Sequence, residues 1–109
     1  MKTYLECFKE VRQQFIESNP GMVSRIEYEA NQHAPNLGLS EKEFFDDEIG
    51  KLFISELARH GGDPVLTVIR MSSADDETKN TLQAEHYQTI ADALGMPLNE
   101  YLIENRIIL

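Results

Sequence analysis

Apolar residues recur along most of the chain at intervals of three or four positions, the period of one helix face. In the first segment, from about Lys2 to Ser18, the repeat is carried by Tyr4, Phe8, Val11 and Phe15. Four helices supply the predicted core, which consists of Phe8, Phe15, Ile26, Phe45, Leu52, Phe53, Ile90 and Leu94. The pattern predicts an all-α fold, a compact bundle of five to six short helices in a single domain spanning residues 1–109.

Local signals predict where these helices begin and end. Ser40 and Glu43 have the spacing of a capping box and open a helix from Glu41 to His60, which Gly61-Gly62 ends with a left-handed cap. Asn19 is a typical N-cap residue, and Pro20 would occupy the first position of the second helix. The other predicted helices run from Pro20 to about Gln32, from a Ser73 cap to Leu94 before Gly95, and from Pro97 to near Asn105.

The segment from Val65 to Met71 is ambiguous between strand and helix. Its β-branched residues favour a strand, but no other segment offers a partner strand. Asp63-Pro64, just before it, repeats the cap-and-proline signature of a helix start. A lone strand would leave its backbone unpaired, so we predict a short helix.

The amino-acid composition indicates what kind of protein this chain forms. The chain has 109 residues, a formal net charge of −9 and 41% hydrophobic residues, which indicates an acidic globular protein. Its single cysteine, Cys7, excludes an internal disulfide and is expected to be buried or half-buried and unreactive. The first ten residues are charged throughout, and no apolar run approaches the ~20 residues that span a bilayer. We expect a cytoplasmic protein without a membrane segment.

The segment from Tyr87 to Asn105 contains an apolar helix, a Gly95-Met96-Pro97 turn and a second short helix. This order resembles the helix-turn-helix of repressor-type regulators, in which the second helix enters the major groove of DNA. Here the second helix carries Glu100 and Glu104 but no Lys or Arg, and the nearest cation, Arg106, follows its end. Because neutralisation of phosphates supplies much of the affinity for DNA, we interpret the pair as a packing unit.

Three helices each direct a histidine toward their apolar face, and one of them adds a glutamate on the same face. The resulting candidate polar cluster consists of His33, Glu56, His60 and His86. Imidazole and carboxylate groups are ligands of zinc and iron, and helical bundles hold such sites in their cores. No Glu-x-x-His or paired-cysteine spacing is present, and Glu56 with His60 also fits an i,i+4 surface pair. This favours the helix-surface interpretation, so we predict no metal, no cofactor and no catalytic residue.

Phe44 and Ile54 project away from the apolar stripe of their helix, which indicates either cover by a neighbouring helix or a contact patch. The leading hypothesis is a non-enzymatic protein that binds another protein or itself. The predicted homodimer would use a face with Phe44, Ile54 or the segment Ile107-Ile108-Leu109. The alternatives are an acidic, immunity-type inhibitor that blocks a basic partner, and a small metal-binding protein.

Because the second helix of the Tyr87–Asn105 pair is acidic, we predict that the protein does not bind DNA sequence-specifically. We expect an electrophoretic mobility shift titration at low salt to leave duplex DNA free, because the chain and the DNA repel each other. Retention of the duplex at micromolar protein, with a steep dependence on salt, would contradict this prediction.

Overall fold

The structure is a computed structural model that describes residues 1–109; it is all-helical, with no strand and 77% of residues in helices. The prediction of an all-α bundle of five to six helices is confirmed. The elements are α1 (Tyr4–Glu17), α2 (Pro20–His33), a 3-10 turn (Pro35–Leu37), α3 (Glu41–Arg59), α4 (Pro64–Met71), α5 (Asp76–Leu94) and α6 (Leu98–Glu104).

Side-chain caps fix the first turns of several helices. The capping box predicted before α3 is present, with the Glu43 N–H donating to Ser40 Oγ at 3.0 Å and the Ser40 N–H donating to Glu43 Oε1 at 3.2 Å. A second capping box, between Thr3 and Glu6, opens α1. Each box satisfies two backbone groups that would otherwise lack partners in the first helical turn.

The predicted Ser73 cap of α5 is wrong. The cap is Asp75, whose Oδ1 accepts from the Thr78 N–H at 2.8 Å. The Ser73 N–H instead donates to Glu10 Oε2 at 2.8 Å, which ties this loop to α1. Tertiary contact with α1 therefore holds Ser73 outside the helix and moves the helix start by two residues.

The ambiguous segment Val65–Met71 is helical, as predicted, and lies within α4. Asp63 caps this helix, because its Oδ1 accepts from the Val65 N–H at 2.8 Å. Thr67, Val68 and Ile69 are buried on the inner side of α4. A good cap and burial of the β-branched residues outweigh their modest preference for strands.

Apolar side chains are buried in two clusters rather than the single predicted core. The first cluster joins α1, α3, α4 and α5 and consists of Cys7, Val11, Phe53, Leu57, Val68, Ile69 and Leu82. The second joins α2 and α3 and consists of Ile26, Ala30, Ala34, Phe44 and Ile49. Of the predicted core residues, Phe53 and Ile26 are buried in different clusters, most others are half-buried, and Leu94 is 62% exposed.

Of the two possibilities for Phe44, cover by a neighbouring helix is the one found. Phe44 is only 8% exposed, because α2 packs along that side of α3 and encloses its ring. Helix α3 is therefore covered in two directions, by α2 around Phe44 and Ile49 and by α1 and α4 around Phe53 and Leu57. Ile54, in contrast, is 69% exposed, as its position off the apolar stripe predicts.

The bundle is elongated along one axis. It measures 53 × 28 × 24 Å, and its radius of gyration of 17.5 Å exceeds the roughly 13 Å typical of a globular chain of this length. Helix α2 packs mainly against α3, whereas α6 packs against α5. None of the helices combines the length and the apolar character needed to cross a membrane.

The first cluster predicts a large loss of stability when one of its leucines is truncated. We expect Leu82→Ala to lower the free energy of unfolding by about 2–5 kcal/mol, because it removes buried methyl groups and leaves a cavity. Leu5→Ala is the matched control: the same atoms are removed from an exposed position on α1, so the change should stay within about 0.5 kcal/mol. Urea denaturation measures both, and equal losses at the two positions would contradict this core.

Candidate functional site

The four residues of the predicted polar cluster occupy different local settings. His60 Nε2 lies 3.8 Å from Glu56 Oε1, and Glu56 also accepts from Arg59 at 2.9 Å. His33 is exposed at the end of α2, and His86 pairs with a residue outside the predicted set. No group of three or more His, Cys, Asp or Glu side chains is placed to hold a metal ion.

A close polar contact between different helices joins His86 and Asp63. The Nε2 of His86 donates to Asp63 Oδ2 at 2.6 Å, and both side chains are partly buried. The other carboxylate oxygen of Asp63 caps α4 through Val65. One carboxylate therefore fixes the start of α4 and connects it to the middle of α5.

Two opposing effects act on the pKa of Asp63. Burial disfavours the charged carboxylate, but the hydrogen bonds with His86 and with the backbone N–H groups of Val65 and Leu66 outweigh it. The pKa of Asp63 consequently lies below its ordinary value. The carboxylate is thus held ionised, which is the form that both caps α4 and pairs with His86.

The Asp63 carboxylate also affects the pKa values of two tyrosines. Burial raises the pKa of Tyr4, and the Asp63 carboxylate adds to that effect. Burial also raises the pKa of Tyr87, with further contributions from Tyr101 and Asp63. The rings of Tyr87 and Tyr101 are 6.2 Å apart, where α6 packs on α5.

A cavity of about 230 Å³ opens beside His86. Val65, Ile69 and Leu82 line it with apolar atoms, and Glu85 and His86 add polar groups. No serine or cysteine lines the cavity, and Cys7 is fully buried in the first cluster. Tyr4 and Thr89 also line this cavity. In the structure the His86–Asp63 pair connects the start of α4 to α5.

A second concave feature is an apolar groove between the end of α3 and the start of α4. Its lining residues are Ile54, Leu57, Ala58, Gly62 and Pro64, and its volume is about 400 Å³. The exposed side of Ile54 forms part of its wall. We call this feature the Ile54 groove.

Apolar side chains are also exposed on and after α6. Ile103 is 75% exposed and Ile108 is 96% exposed. After α6 the chain turns back, with the Ile107 N–H donating to the Leu102 carbonyl at 2.9 Å and Arg106 at a φ of 55°. This turn leaves Ile107 half-buried and Ile108 in solvent, so the segment Ile107-Ile108-Leu109 is only partly docked.

The sequence indicates some of these features but not their combination. Asp63 is recognisable as a cap and His86 as an inward-facing histidine, but their pairing depends on how α4 packs on α5. The exposure of Ile54 follows from its position on α3. The groove beside it depends on the angle between α3 and α4, which no local pattern encodes.

The fold and surface define an acidic, all-helical protein with an apolar groove and a partly exposed apolar end. The chain belongs to a family of unknown function, DUF6388, whose sequence profile matches residues 1–107. No curated protein and no solved structure matches the chain. Membership of this family therefore assigns no activity.

The His86–Asp63 pair predicts an acid-dependent part of the stability. Asp63→Asn keeps a side-chain oxygen for the α4 cap but removes the charge, so we expect a loss of about 1 kcal/mol near pH 5. Because the pKa of Asp63 is lower in the folded than in the unfolded state, its contribution is present above the unfolded value, about 3.9. This contribution is lost as the pH falls through the pKa of Asp63 in the folded protein. The free energies of unfolding of parent and variant should therefore converge toward pH ~2.

Asp75→Asn provides the control for this experiment. Asp75 also caps a helix, through Thr78, but it has no histidine partner. We expect a smaller effect from Asp75→Asn, measured by chemical denaturation across the same pH range. Equal effects at the two positions would show that His86 adds nothing to the cap.

Proposed function

We propose that this protein is a non-enzymatic, self-associating module that functions as a homodimer in the cytoplasm. The observation that carries the proposal is the amount of surface left exposed. The accessible area is 7238 Å², whereas a folded monomer of 12.5 kDa typically exposes about 6,200 Å². Each copy thus exposes about 1,000 Å² more than its mass requires.

The size of this excess supports a dimer. A standard protein interface removes about 800 Å² from each partner, so pairing two copies would cover most of the excess area. Among the exposed large apolar residues, Ile54 lines the Ile54 groove and Ile103 projects from α6, while the others lie elsewhere along the chain. Two-fold pairing is the commonest arrangement by which soluble proteins cover such surfaces.

The net charge of −9 opposes association of identical copies. At physiological ionic strength this repulsion is screened beyond about 8 Å, whereas apolar contacts act at short range and do not weaken with salt. The balance therefore favours an apolar contact that keeps most carboxylates at its edge, as interfaces commonly do.

The same charge favours a second candidate function. An acidic protein without a catalytic centre fits an inhibitor that covers a basic site on another protein. The two functions predict opposite responses to salt, because a charge-driven complex weakens when salt is added and an apolar dimer between acidic copies strengthens.

Sedimentation velocity tests the proposed self-association. We expect a dimer at ~100 µM protein and a higher dimer fraction in ~0.5 M than in ~0.05 M sodium chloride, because screening reduces the repulsion between copies. A monomer at both salt concentrations would rule out self-association and leave the inhibitor hypothesis as the alternative to test.

A further inference from the structure

We infer that the cavity beside His86 binds a small primary amine in its protonated form, with the ammonium group at a polar rim and the alkyl tail on an apolar floor. This cavity, of about 230 Å³, lies between α4 and α5, and Tyr4 of α1 also lines it. We call it the His86 cavity. The inference goes beyond the proposed self-association, because a ligand held within one chain requires no second copy.

The floor of the His86 cavity is apolar and belongs to the packed core. Ile69 and Leu82 are members of the first buried cluster, and Val65 packs against it. A short alkyl chain on this floor would leave water without requiring the helices to rearrange. The volume corresponds to about seven or eight water molecules in the liquid, which limits the ligand to about that many non-hydrogen atoms.

The polar groups of the rim are hydrogen-bond acceptors. An ionised Glu85 side chain only accepts, and the Thr89 hydroxyl donates its hydrogen to the Glu85 carbonyl at 3.0 Å, so its lone pairs remain. In a neutral His86 whose Nε2 donates to Asp63, the other ring nitrogen, Nδ1, is also an acceptor. An ammonium group carries three donors and no acceptor, so it is complementary to this rim.

These acceptors have no partner within the chain. The Glu85 carboxylate forms no hydrogen bond and no ion pair with another side chain, and neither His86 Nδ1 nor the Tyr4 hydroxyl has a hydrogen-bond partner. Other carboxylates behave differently: Glu10 and Glu48 are each paired with a lysine. The rim of the cavity therefore keeps its hydrogen-bonding capacity available to a ligand.

The charge around the cavity favours a cation. No lysine or arginine lines it, whereas Glu85 lies at its rim and Asp63 lies behind His86. The field of Asp63 reaches the opposite wall, because this carboxylate contributes to the raised pKa of Tyr4. An anion of the same size would be repelled, and a wholly apolar molecule would leave the acceptors without donors.

An NMR titration of the ¹⁵N-labelled full chain with n-butylammonium chloride tests the inference. We expect saturable shifts of the amide signals around Val65, Leu82 and His86, with a dissociation constant on the order of 1 mM at near-physiological salt. n-Propylammonium should bind about fourfold more weakly, because it buries one methylene fewer. Butyrate, which has a similar tail and the opposite charge, should produce no saturable shift.

Glu85→Gln is the variant that addresses the rim, and Glu77→Gln is its matched control. Glu77 is also exposed on α5, and its carbonyl accepts from Thr81 at 3.0 Å, but it lies outside the cavity. Both variants lose one negative charge from the same helix. We expect Glu85→Gln to weaken binding of n-butylammonium at least ~10-fold, since a charge-assisted hydrogen bond is lost, and Glu77→Gln to leave it nearly unchanged.

Each outcome of the titrations decides the inference. Saturable shifts that depend on tail length and are lost selectively in Glu85→Gln would support it. Absence of saturable shifts up to ~50 mM ligand would overturn it. Equal binding of the two amines, or equal weakening by the two variants, would indicate only general attraction of cations to an acidic chain and would overturn it as well. A protein that sediments as a monomer yet binds n-butylammonium would disprove self-association and support this inference.

Discussion

Helix α3 carries apolar side chains in two directions, and each direction requires its own cover. Phe44 and Ile49 need α2, while Phe53 and Leu57 need α1 and α4. Because burying these side chains supplies much of the stabilisation, α1, α2 and α4 pack against α3, while α5 packs on α4 and α6 packs on α5. The structure is elongated, and the Ile54 groove lies between the end of α3 and the start of α4.

Local sequence signals predicted most of the helix boundaries. The Ser40 capping box, the glycine stop after α3 and the helical state of Val65–Met71 all depend on interactions within a few residues. The errors arose where distant segments decide the outcome. The periodic pattern predicted one core because it cannot represent a helix covered on two sides, and contact with Glu10 displaced the cap from Ser73.

In the candidate site, too, local roles could be predicted from the sequence, whereas contacts between helices could not. Asp63 and His86 each have a recognisable local role, but they are 23 residues apart and meet only because α4 packs on α5. The candidate grouping of His33 with Glu56, His60 and His86 would require that inward-facing histidines on different helices converge. Helix axes and rotations determine such convergence, and a periodic pattern contains no information about either.

The way α6 is attached has a consequence for local stability. Helix α6 is short and rests mainly on α5, so few buried contacts oppose its opening. Its backbone amides should therefore exchange with deuterium sooner than those of α3, which is buried on two sides. A partner that binds α6 would shift this opening equilibrium toward the ordered form, so recognition at this end of the molecule would be coupled to ordering of the helix itself.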